Sequence, residues 1–360
     1  MSSSFGKNIK VSVFGQSHGK AIGVVMDNVP AGHKISSEEL QLFMDRRKPG
    51  KNKLSTGRKE GDVPVFLSGL ENDMTCGSPI CAIIENSDQR SKDYDELKGK
   101  PRPGHADYTA YVKWDGQADM RGGGHFSGRL TAPLCIAGGI AKQILMEKGI
   151  VIGAHILEVA GIRDESFPCT PTGAELENIS SKEFPVINDH AGSNMIKAIE
   201  KASQDGDSVG GIIECVAIGI PEGLGGPMFE GIESRIASAV FGIPAIKGIE
   251  FGAGFSSSKM KGSEHNDPMY YDEEGSVKTK TNNAGGILGG ITNGMPVVFK
   301  TAVKPTPSIS RQQETVDLIN KENTTIQIKG RHDPCIVHRA VPVVEAVAAL
   351  VILDMLMEDK

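Results

Sequence analysis

Apolar residues follow a strand pattern in some segments of the chain and a helical pattern in others. Short apolar runs predict strands over residues 8–13 and 23–27, and a longer run that ends at Pro221 predicts a strand over 210–220. Recurrence every three or four residues predicts a helix over 129–148, and a serine followed by acidic residues in the first turn predicts one over 36–46. Helices are also predicted over 194–204, 231–241 and 337–357. Because strands and helices interleave, these predictions indicate a layered fold of the α/β or α+β class.

The helix predicted over 129–148 contains two adjacent glycines, Gly138 and Gly139, and ends at Gly149. A glycine inside a helix costs about 1 kcal/mol relative to alanine. We therefore expect this pair to serve packing, by allowing a second helix to approach closely.

No Ser/Gly tract, long charge block or fixed-period repeat divides the chain, so one continuous domain over residues 1–360 is expected. The most apolar stretch, 341–357, carries Glu345 and Asp354, which favours a buried helix over a membrane span. The first residues lack the apolar core and cleavage site of a signal peptide. The six cysteines never form a C-x-x-C pair, so no zinc or other metal site is predicted, and scattered thiols fit a reducing cytoplasm.

Composition narrows the class of function. Glycine accounts for 44 of 360 residues without any repeat to explain the number, against about 7% in average proteins. The chain has 39 basic and 45 acidic side chains and a formal net charge of -6, which disfavours a general nucleic-acid binder. Overall composition does not identify a ligand, so the motifs along the chain are needed to indicate one.

Four of the nine histidines touch glycine or lie within two residues of it, namely His18, His105, His125 and His332. Glycine lets the backbone approach a ligand closely, and histidine is the side chain that titrates nearest neutrality. Any one of them taken alone is better explained as a turn histidine in solvent or a satisfied core residue. Their repetition predicts acid–base groups on loops that face a ligand.

A basic segment follows the first predicted helix. Seven basic residues occur there without an acid, Arg46, Arg47, Lys48, Lys51, Lys53, Arg58 and Lys59. Arginine forks and lysine point charges suit phosphate or carboxylate, and no aromatic residues interleave with them as single-stranded nucleic acid would require. A polyanionic small molecule is favoured over nucleic acid, and a solvated basic loop is the alternative.

Three further features suit an anion. The glycine runs 122–124 and 285–290 offer backbone N–H groups, although neither matches a dinucleotide fingerprint. Residues 304–308 combine a cation, two prolines and two hydroxyls, and residues 331–333 place guanidinium, imidazole and carboxylate before the last predicted helix. An ordinary Pro-rich turn and a structural salt-bridge cluster are the plainer interpretations. The residues alone predict an enzyme whose substrate carries phosphate and carboxylate groups, with histidine and aspartate moving protons.

Eight segments that include these features resemble the chorismate synthase family in order and spacing. They extend from residue 15 to 346 and read GQSHGKAIGVVMDNVPAG, DRRKPG, ENSDQRSKDY, RPGHADYTAYVKW, RGGGHFSGR, AGGILGGITNG, KPTPSIS and GRHDPCIVHRAVPVVEA. The resemblance implies a single-domain β-α-β sandwich of the α+β class, with a helical layer between antiparallel sheets, and a homotetramer.

The same resemblance implies a lyase that converts 5-enolpyruvylshikimate 3-phosphate to chorismate and phosphate by a 1,4-anti elimination, the last common step of the shikimate pathway. It also implies a need for reduced FMN without net redox change. His18 would protonate the departing phosphate, and His105 would protonate the reduced flavin. Asp333 would assist removal of the substrate proton through the flavin N5, while Ser17 and Ser127 would support the two ends of the site by hydrogen bonds.

Ligand contacts are implied in the same way. Substrate contacts, shared in part with NADPH, fall on Arg46, Arg47, Lys53 and Arg129. FMN contacts fall on His125, Phe126, Ser127, Pro244, Ala245, Gly289, Lys304, Pro305, Thr306, Pro307, Ser308 and Arg331. The flavin would be reduced by NADPH or by an outside flavin reductase, and the lack of a dinucleotide fingerprint favours the latter.

The chain departs from the family pattern at several of these positions. The family usually has Arg-Ser where this chain has His125 and Phe126, and arginine where Lys48 and Lys53 stand. Phe126 removes a hydroxyl that could donate to flavin phosphate or substrate, and lysine loses the bidentate fork of arginine. These departures bear on individual flavin contacts more than on the reaction.

Two other functions stay open at this point. A flavin-dependent oxidoreductase acting on a phosphorylated carboxylate would consume NADPH in step with product. A non-catalytic phospholigand-binding protein would bind its ligand without turnover. No nucleic-acid or membrane partner is expected.

Overall fold

The computed structural model describes residues 3–50, 61–86, 99–328 and 332–358. The helices within these ranges are α1 (Ser37–Arg47), α2 (Asp107–Lys113), α3 (Thr131–Met146), α4 (Gly173–Ser181), α5 (Asp189–Gln204), α6 (Ile232–Val240), α7 (Gly262–His265) and α8 (Val337–Leu356).

Two antiparallel sheets of five strands each form the outer layers. The first has the order β1 (Ser4–Phe5), β2 (Lys10–Gly15), β3 (Ala21–Asp27), β7 (Ile80–Glu85) and β4 (Val65–Ser68). The second has the order β11 (Ile246–Phe251), β16 (Val297–Val303), β10 (Gly211–Ile218), β8 (Val151–Val159) and β9 (Ile162–Arg163). Two-stranded hairpins pair β5 (Leu70–Glu71) with β6 (Met74–Thr75), β12 (Met269–Tyr271) with β13 (Val277–Thr279), β14 (Ile287–Leu288) with β15 (Ile291–Thr292), and β17 (Gln313–Asp317) with β18 (Glu322–Ile326).

A layer of helices joins the two sheets. Helix α3 packs against β3 and β7 of the first sheet, α8 packs against β8 and β10 of the second, and α1, α3 and α8 pack on one another. The glycine pair explains the close approach: a Cβ at Gly138 would overlap Ala346 of α8, and one at Gly139 would press on Leu40 and Phe43 of α1. The predicted packing role of the pair and the β-α-β sandwich are confirmed.

Several predicted elements begin elsewhere than expected, and in two of them a polar side chain accepts from the backbone N–H groups at the start. The helix predicted over 194–204 begins at Asp189, since the side chain of Asn188 accepts from the N–H groups of His190 and Ala191 and so caps it. The strand predicted from residue 8 begins at Lys10, since the backbone N–H of Asn8 donates to the Asp354 carboxylate at 2.7 Å. Among the described helices, none is long and apolar enough to span a bilayer.

Candidate active site

The glycine run 122–124 brings two of the predicted histidines together. All three glycines have positive φ, 60°, 88° and 55°, a region that other residues rarely adopt. A Cβ at Gly122 would overlap the imidazole of His18 and lie 2.9 Å from Ser17 Oγ, and one at Gly123 would lie 3.2 Å from His105 Nε2. Glycine is required here because any side chain would displace one of the rings.

Ser17 and His18 lie buried on one side of this glycine turn. Their exposed fractions are 3% and 4%, and the backbone N–H of Ser17 donates to the carbonyl of Gly124 at 3.1 Å. Ser17 Oγ is buried and has no hydrogen-bond partner among the described residues. A buried hydroxyl without a partner is costly, so this group fits a hydrogen bond to a ligand.

Ser127 and His105 lie on the other side of the turn. The Cβ of Ser127 stands 3.5 Å from the place that a Cβ on Gly123 would occupy, close to His105 Nε2. Ser127 Oγ accepts from the backbone N–H of Arg129 at 3.3 Å. The structure therefore pairs Ser17 with His18 and Ser127 with His105.

The loop that carries His105 contains two partners that the sequence analysis did not assign. His105 Nδ1 lies 2.7 Å from Asp107 Oδ1, and the Arg102 guanidinium donates to both oxygens of Asp107 at 2.7 and 2.8 Å. Burial raises the pKa of Asp107, but the bonds from Arg102 and His105 outweigh burial and lower that pKa below its ordinary value. Both partners stand in the RPGHAD segment, so the signal was present within five residues of His105.

The predicted cofactor run 304–308 packs on this same loop. Lys304 Nζ donates to the carbonyl of Gly104, and Arg102 Nη1 donates to Ser308 Oγ at 3.3 Å. The backbone N–H of Lys304 donates to the carbonyl of Ala245 at 3.0 Å, which places the predicted contacts at Pro244 and Ala245 beside the run. Lys304 and Gly104 thus meet across 200 positions of sequence, and the role of the run in binding a cofactor stays a prediction.

A cluster of cations lies at the end of α1. Arg47 and Arg129 both pair with the carboxylate of Asp62, and Arg47 Nη1 also donates to Thr131 Oγ1 at 3.2 Å. Burial raises the pKa of Asp62, but the two guanidinium charges outweigh it and lower that pKa. Two guanidinium groups therefore converge on one carboxylate in a buried place.

Asp333 joins this cluster through Arg339. Arg339 Nη1 donates to Asp333 Oδ2 at 2.6 Å, and Arg339 Nε donates to the backbone carbonyl of Arg47 at 3.0 Å. The neighbouring His332 has a pKa lowered chiefly by burial and also by the charge of Arg102. The segment before α8 therefore lies between the cation cluster and the His105 loop.

Some predicted site residues have partners inside the protein instead. Arg46 Nη1 and Nη2 donate to the Glu345 carboxylate at 2.9 and 2.6 Å, and Lys142 pairs with the same carboxylate. The basic segment has no acidic residue within it, but the fold brings acidic partners to it from other parts of the sequence. Glu345 pairs with Arg46, and Asp62 pairs with Arg47. Lys53 and Arg331 lie outside the described residues.

The predicted flavin contacts at residues 125 and 126 also have internal partners. His125 Nδ1 lies 2.8 Å from the carbonyl of Gly15, and its Nε2 lies 2.8 Å from Ser3 Oγ. The ring of Phe126 lies 5.8 Å from that of Trp114. His125 thus ties the N-terminal segment to the glycine turn, and its contact to flavin stays a prediction.

The second glycine run serves backbone packing at three of its four glycines. A Cβ at Gly285, Gly286 or Gly290 would press on the backbone of neighbouring turns, whereas one at Gly289 would meet nothing within 4 Å. Only Gly289 leaves room for a ligand. Within the described ranges, no group of three or more His, Cys, Asp or Glu side chains is arranged to hold a metal ion.

Two histidines therefore lie against one glycine turn. The guanidinium cluster is linked to Ser127 through Arg129 and to Asp333 through Arg339. This arrangement is suited to proton transfer beside a bound anion.

Comparison with known proteins agrees. The family model for chorismate synthase matches residues 9–357. The chain is 50% identical over 355 residues to the chorismate synthase of Pyrococcus abyssi, covering 98% of this chain and 97% of that protein. It is 46% identical over 355 residues to that of Korarchaeum cryptofilum, covering 99% and 97%. A crystal structure of chorismate synthase matches with a TM-score of 0.78 at 28% identity, covering 99% of this chain and 93% of the other.

Proposed function

The chain belongs to the chorismate synthase family, and from this premise we propose that its site eliminates phosphate from 5-enolpyruvylshikimate 3-phosphate with reduced FMN bound beside His105. Family membership makes the protein a lyase of the shikimate pathway. One observation carries the assignment of the site: Ser17 with His18 and Ser127 with His105 converge on the two sides of the 122–124 turn.

Departure of phosphate needs cations to hold the leaving group and an acid to protonate it. Arg47 and Arg129 converge on Asp62, and we assign these two guanidinium groups the substrate anion. His18 is buried beside the turn, and we assign it the proton that the phosphate oxygen receives. A positioned general acid of this kind contributes about 10²–10⁴ in rate. Lys53 and Arg46 stay predicted substrate contacts, although Arg46 would first have to leave Glu345.

The residues around 304–308 fit FMN. Reduced FMN, when bound, lends an electron to the elimination and recovers it. Thr306 Oγ1 is buried without a hydrogen-bond partner among the described residues, and burial together with the charge of Lys247 lowers the pKa of Lys304. A cofactor phosphate would relieve the repulsion between these two lysines and stabilise both charges. Pro244, Ala245, Pro305, Pro307 and Ser308 would complete this cofactor wall, with Gly289, Phe126 and Arg331 as further predicted contacts.

His105 and Asp333 are assigned the remaining proton transfers. His105 Nε2 faces the glycine turn, where the ring would take up a proton and pass it to the cofactor. Asp333 is held by Arg339, next to the cation cluster, and we assign it the proton that leaves the substrate. Acid and base then lie on different elements around one bound substrate.

We further propose that the protein works as a homotetramer in the cytoplasm. Its flavin would be reduced by a separate flavin reductase. In the alternative, NADPH would bind to this protein and reduce the flavin directly. The whole chain would act as one domain.

The cofactor requirement is tested by an anaerobic assay. Purified protein is incubated with 5-enolpyruvylshikimate 3-phosphate and either no flavin, oxidised FMN or chemically reduced FMN, and chorismate and phosphate are measured. We expect product only with reduced FMN. Product without flavin, or ligand binding without product under all three conditions, would contradict the proposal.

A further inference from the structure

Arg102, Asp107 and His105 form a chain of hydrogen bonds beside the glycine turn. His105 Nδ1 lies 2.7 Å from Asp107 Oδ1, while Arg102 Nη2 and Nε lie 2.8 and 2.7 Å from Asp107 Oδ1 and Oδ2. The backbone N–H of Arg102 donates to Oδ2 as well, at 3.0 Å. The three side chains are 7–15% exposed, so water competes little for these bonds.

The donors and acceptors in this chain determine where the His105 proton lies. An ionised carboxylate only accepts and a guanidinium only donates. Nδ1 also lies 3.2 Å from Arg102 Nη2, but that nitrogen already donates to Asp107 Oδ1 at the shorter distance of 2.8 Å. Nδ1 therefore carries a proton and donates it to Asp107. In the neutral ring, the lone pair is then on Nε2, the atom that faces Gly123 and Ser127.

We propose that Asp107, clamped by Arg102, is a positioning residue that keeps His105 in the Nδ1–H tautomer and directs Nε2 to the cofactor side of the site. This role presupposes the function proposed above and adds a residue to it. Asp107 touches neither substrate nor cofactor and acts through His105. Because Arg102 also donates to Ser308 Oγ, the same arginine connects the orientation of His105 to the cofactor run.

The substitution Asp107→Asn should change the tautomer of His105, which can be measured. Asp107 Oδ2 receives two donors that cannot change role, Arg102 Nε–H and the backbone N–H, whereas Oδ1 receives one such donor, Arg102 Nη2. The amide oxygen of an asparagine would take that place, and its NH₂ group would face His105. Nδ1 must then accept, so the ring proton moves to Nε2 and the ring can no longer accept a proton there. In serine proteases the equivalent change traps the wrong tautomer and lowers kcat by about 10⁴.

The tautomer is measured directly by ¹⁵N NMR of the full-length protein labelled at histidine, with the His105 signals assigned by comparison with His105→Gln. Wild-type protein should show a protonated Nδ1 and an unprotonated Nε2 at a pH where the ring is neutral. Asp107→Asn should show the reverse. The same tautomer in both proteins would overturn the proposal, and this readout needs neither FMN nor turnover.

Kinetics give the second readout. With reduced FMN, we expect kcat of Asp107→Asn to fall by about 10²–10⁴ with little change in KM, and that of Arg102→Lys to fall less because one donor persists. Asp164→Asn is the matched control, since Asp164 also contacts a histidine, His155 at 3.3 Å, in a different part of the fold. A kcat of Asp107→Asn equal to that of this control would overturn the role. Wild-type protein inactive with reduced FMN would instead refute the proposed function and leave the NMR result standing.

Discussion

Gly122 lies so close to His18 that a Cβ on Gly122 would overlap the imidazole ring. Gly122 also has a φ of 60°, which costs any other residue conformational energy. We predict that Gly122→Ala displaces His18 and lowers kcat at least about tenfold, since a catalytic group misplaced by about 1 Å can cost 10²-fold. Steady-state kinetics with reduced FMN measures this loss.

Gly128→Ala is the matched control for that substitution. It lies in the same segment, but a Cβ on Gly128 meets nothing within 4 Å and its φ is not positive. Its kcat should stay near the wild-type value. Equal kinetics in the two variants would mean that contact with Gly122 does not position His18.

His18 and His105 should be needed for turnover but not for folding. His18→Asn and His105→Asn should each lower kcat by about 10²–10⁴, because each removes a group that holds a proton. Circular dichroism and thermal unfolding should match wild type. His190→Asn, at an exposed position of α5, controls for loss of a histidine as such. Wild-type turnover in either variant would remove that residue from the mechanism.

Glu345 should stabilise the fold in a pH-dependent way. Burial raises its pKa, but the charges of Arg46 and Lys142 outweigh burial and lower it to about 2, below the ordinary 4.5. A depressed folded-state pKa stabilises the protein fully above pH 4.5, and this contribution is lost as the pH falls towards 2. At pH 7, Glu345→Gln should lower the free energy of unfolding by about 3–5 kcal/mol, because it leaves two cations without their carboxylate.

Urea unfolding at a series of pH values measures this difference. The gap between wild type and Glu345→Gln should narrow from pH 4.5 downwards, while Glu177→Gln, at an exposed position of α4, should show no gap. A gap that stays constant down to pH 3 would mean that Glu345 is not held ionised by its partners.

His338 and His155 should affect stability with opposite signs of pH dependence. Burial lowers the pKa of His338 to about 4. Between pH 6.5 and 4 the ring is therefore protonated in the unfolded chain but neutral in the folded chain. The free energy of unfolding falls as the pH falls through this range. For His155, burial lowers the pKa, but bonds with Asp164 and Glu214 outweigh burial and raise it. Its contribution is full below pH 6.5 and is lost as the pH rises through the raised pKa.

Replacing each histidine tests these signs. Relative to wild type, His338→Leu should reduce the loss of unfolding free energy between pH 6.5 and 4. His155→Gln should reduce the loss of unfolding free energy that occurs as the pH rises above 6.5. Unchanged slopes in the two variants would show that these buried rings do not titrate as described.

Many of the helices and strands could be predicted from the local pattern of apolar and polar residues. The helix containing Gly138 and Gly139 and the apolar C-terminal helix were predicted because burial leaves a strong signal in a run of sixteen to twenty residues. The glycine pair even indicated its own packing role. Element ends were harder, since the N–H groups of residues 7–9 bond to Asp354, about 345 positions away. No local rule predicts such a partner.

The same limit applies to the site. His105, Asp107 and Arg102 are close in sequence, so their association was readable from one segment. The partner of Arg46 lies 299 positions away at Glu345, and sequence counting therefore described a basic segment as free of acids when the fold supplies them. The site roles of Ser17, Ser127 and the cofactor run, and the single domain over 1–360, stay predictions.

The proposed reaction releases phosphate and uses reduced FMN without consuming it. The most direct measurement is the anaerobic ratio of phosphate released to reduced FMN supplied, with flavin absorbance followed in the same cuvette. We predict many moles of phosphate and chorismate per mole of FMN, with the flavin still reduced when substrate is exhausted. One mole of flavin oxidised, or of NADPH consumed, for each mole of product would contradict the account and identify an oxidoreductase.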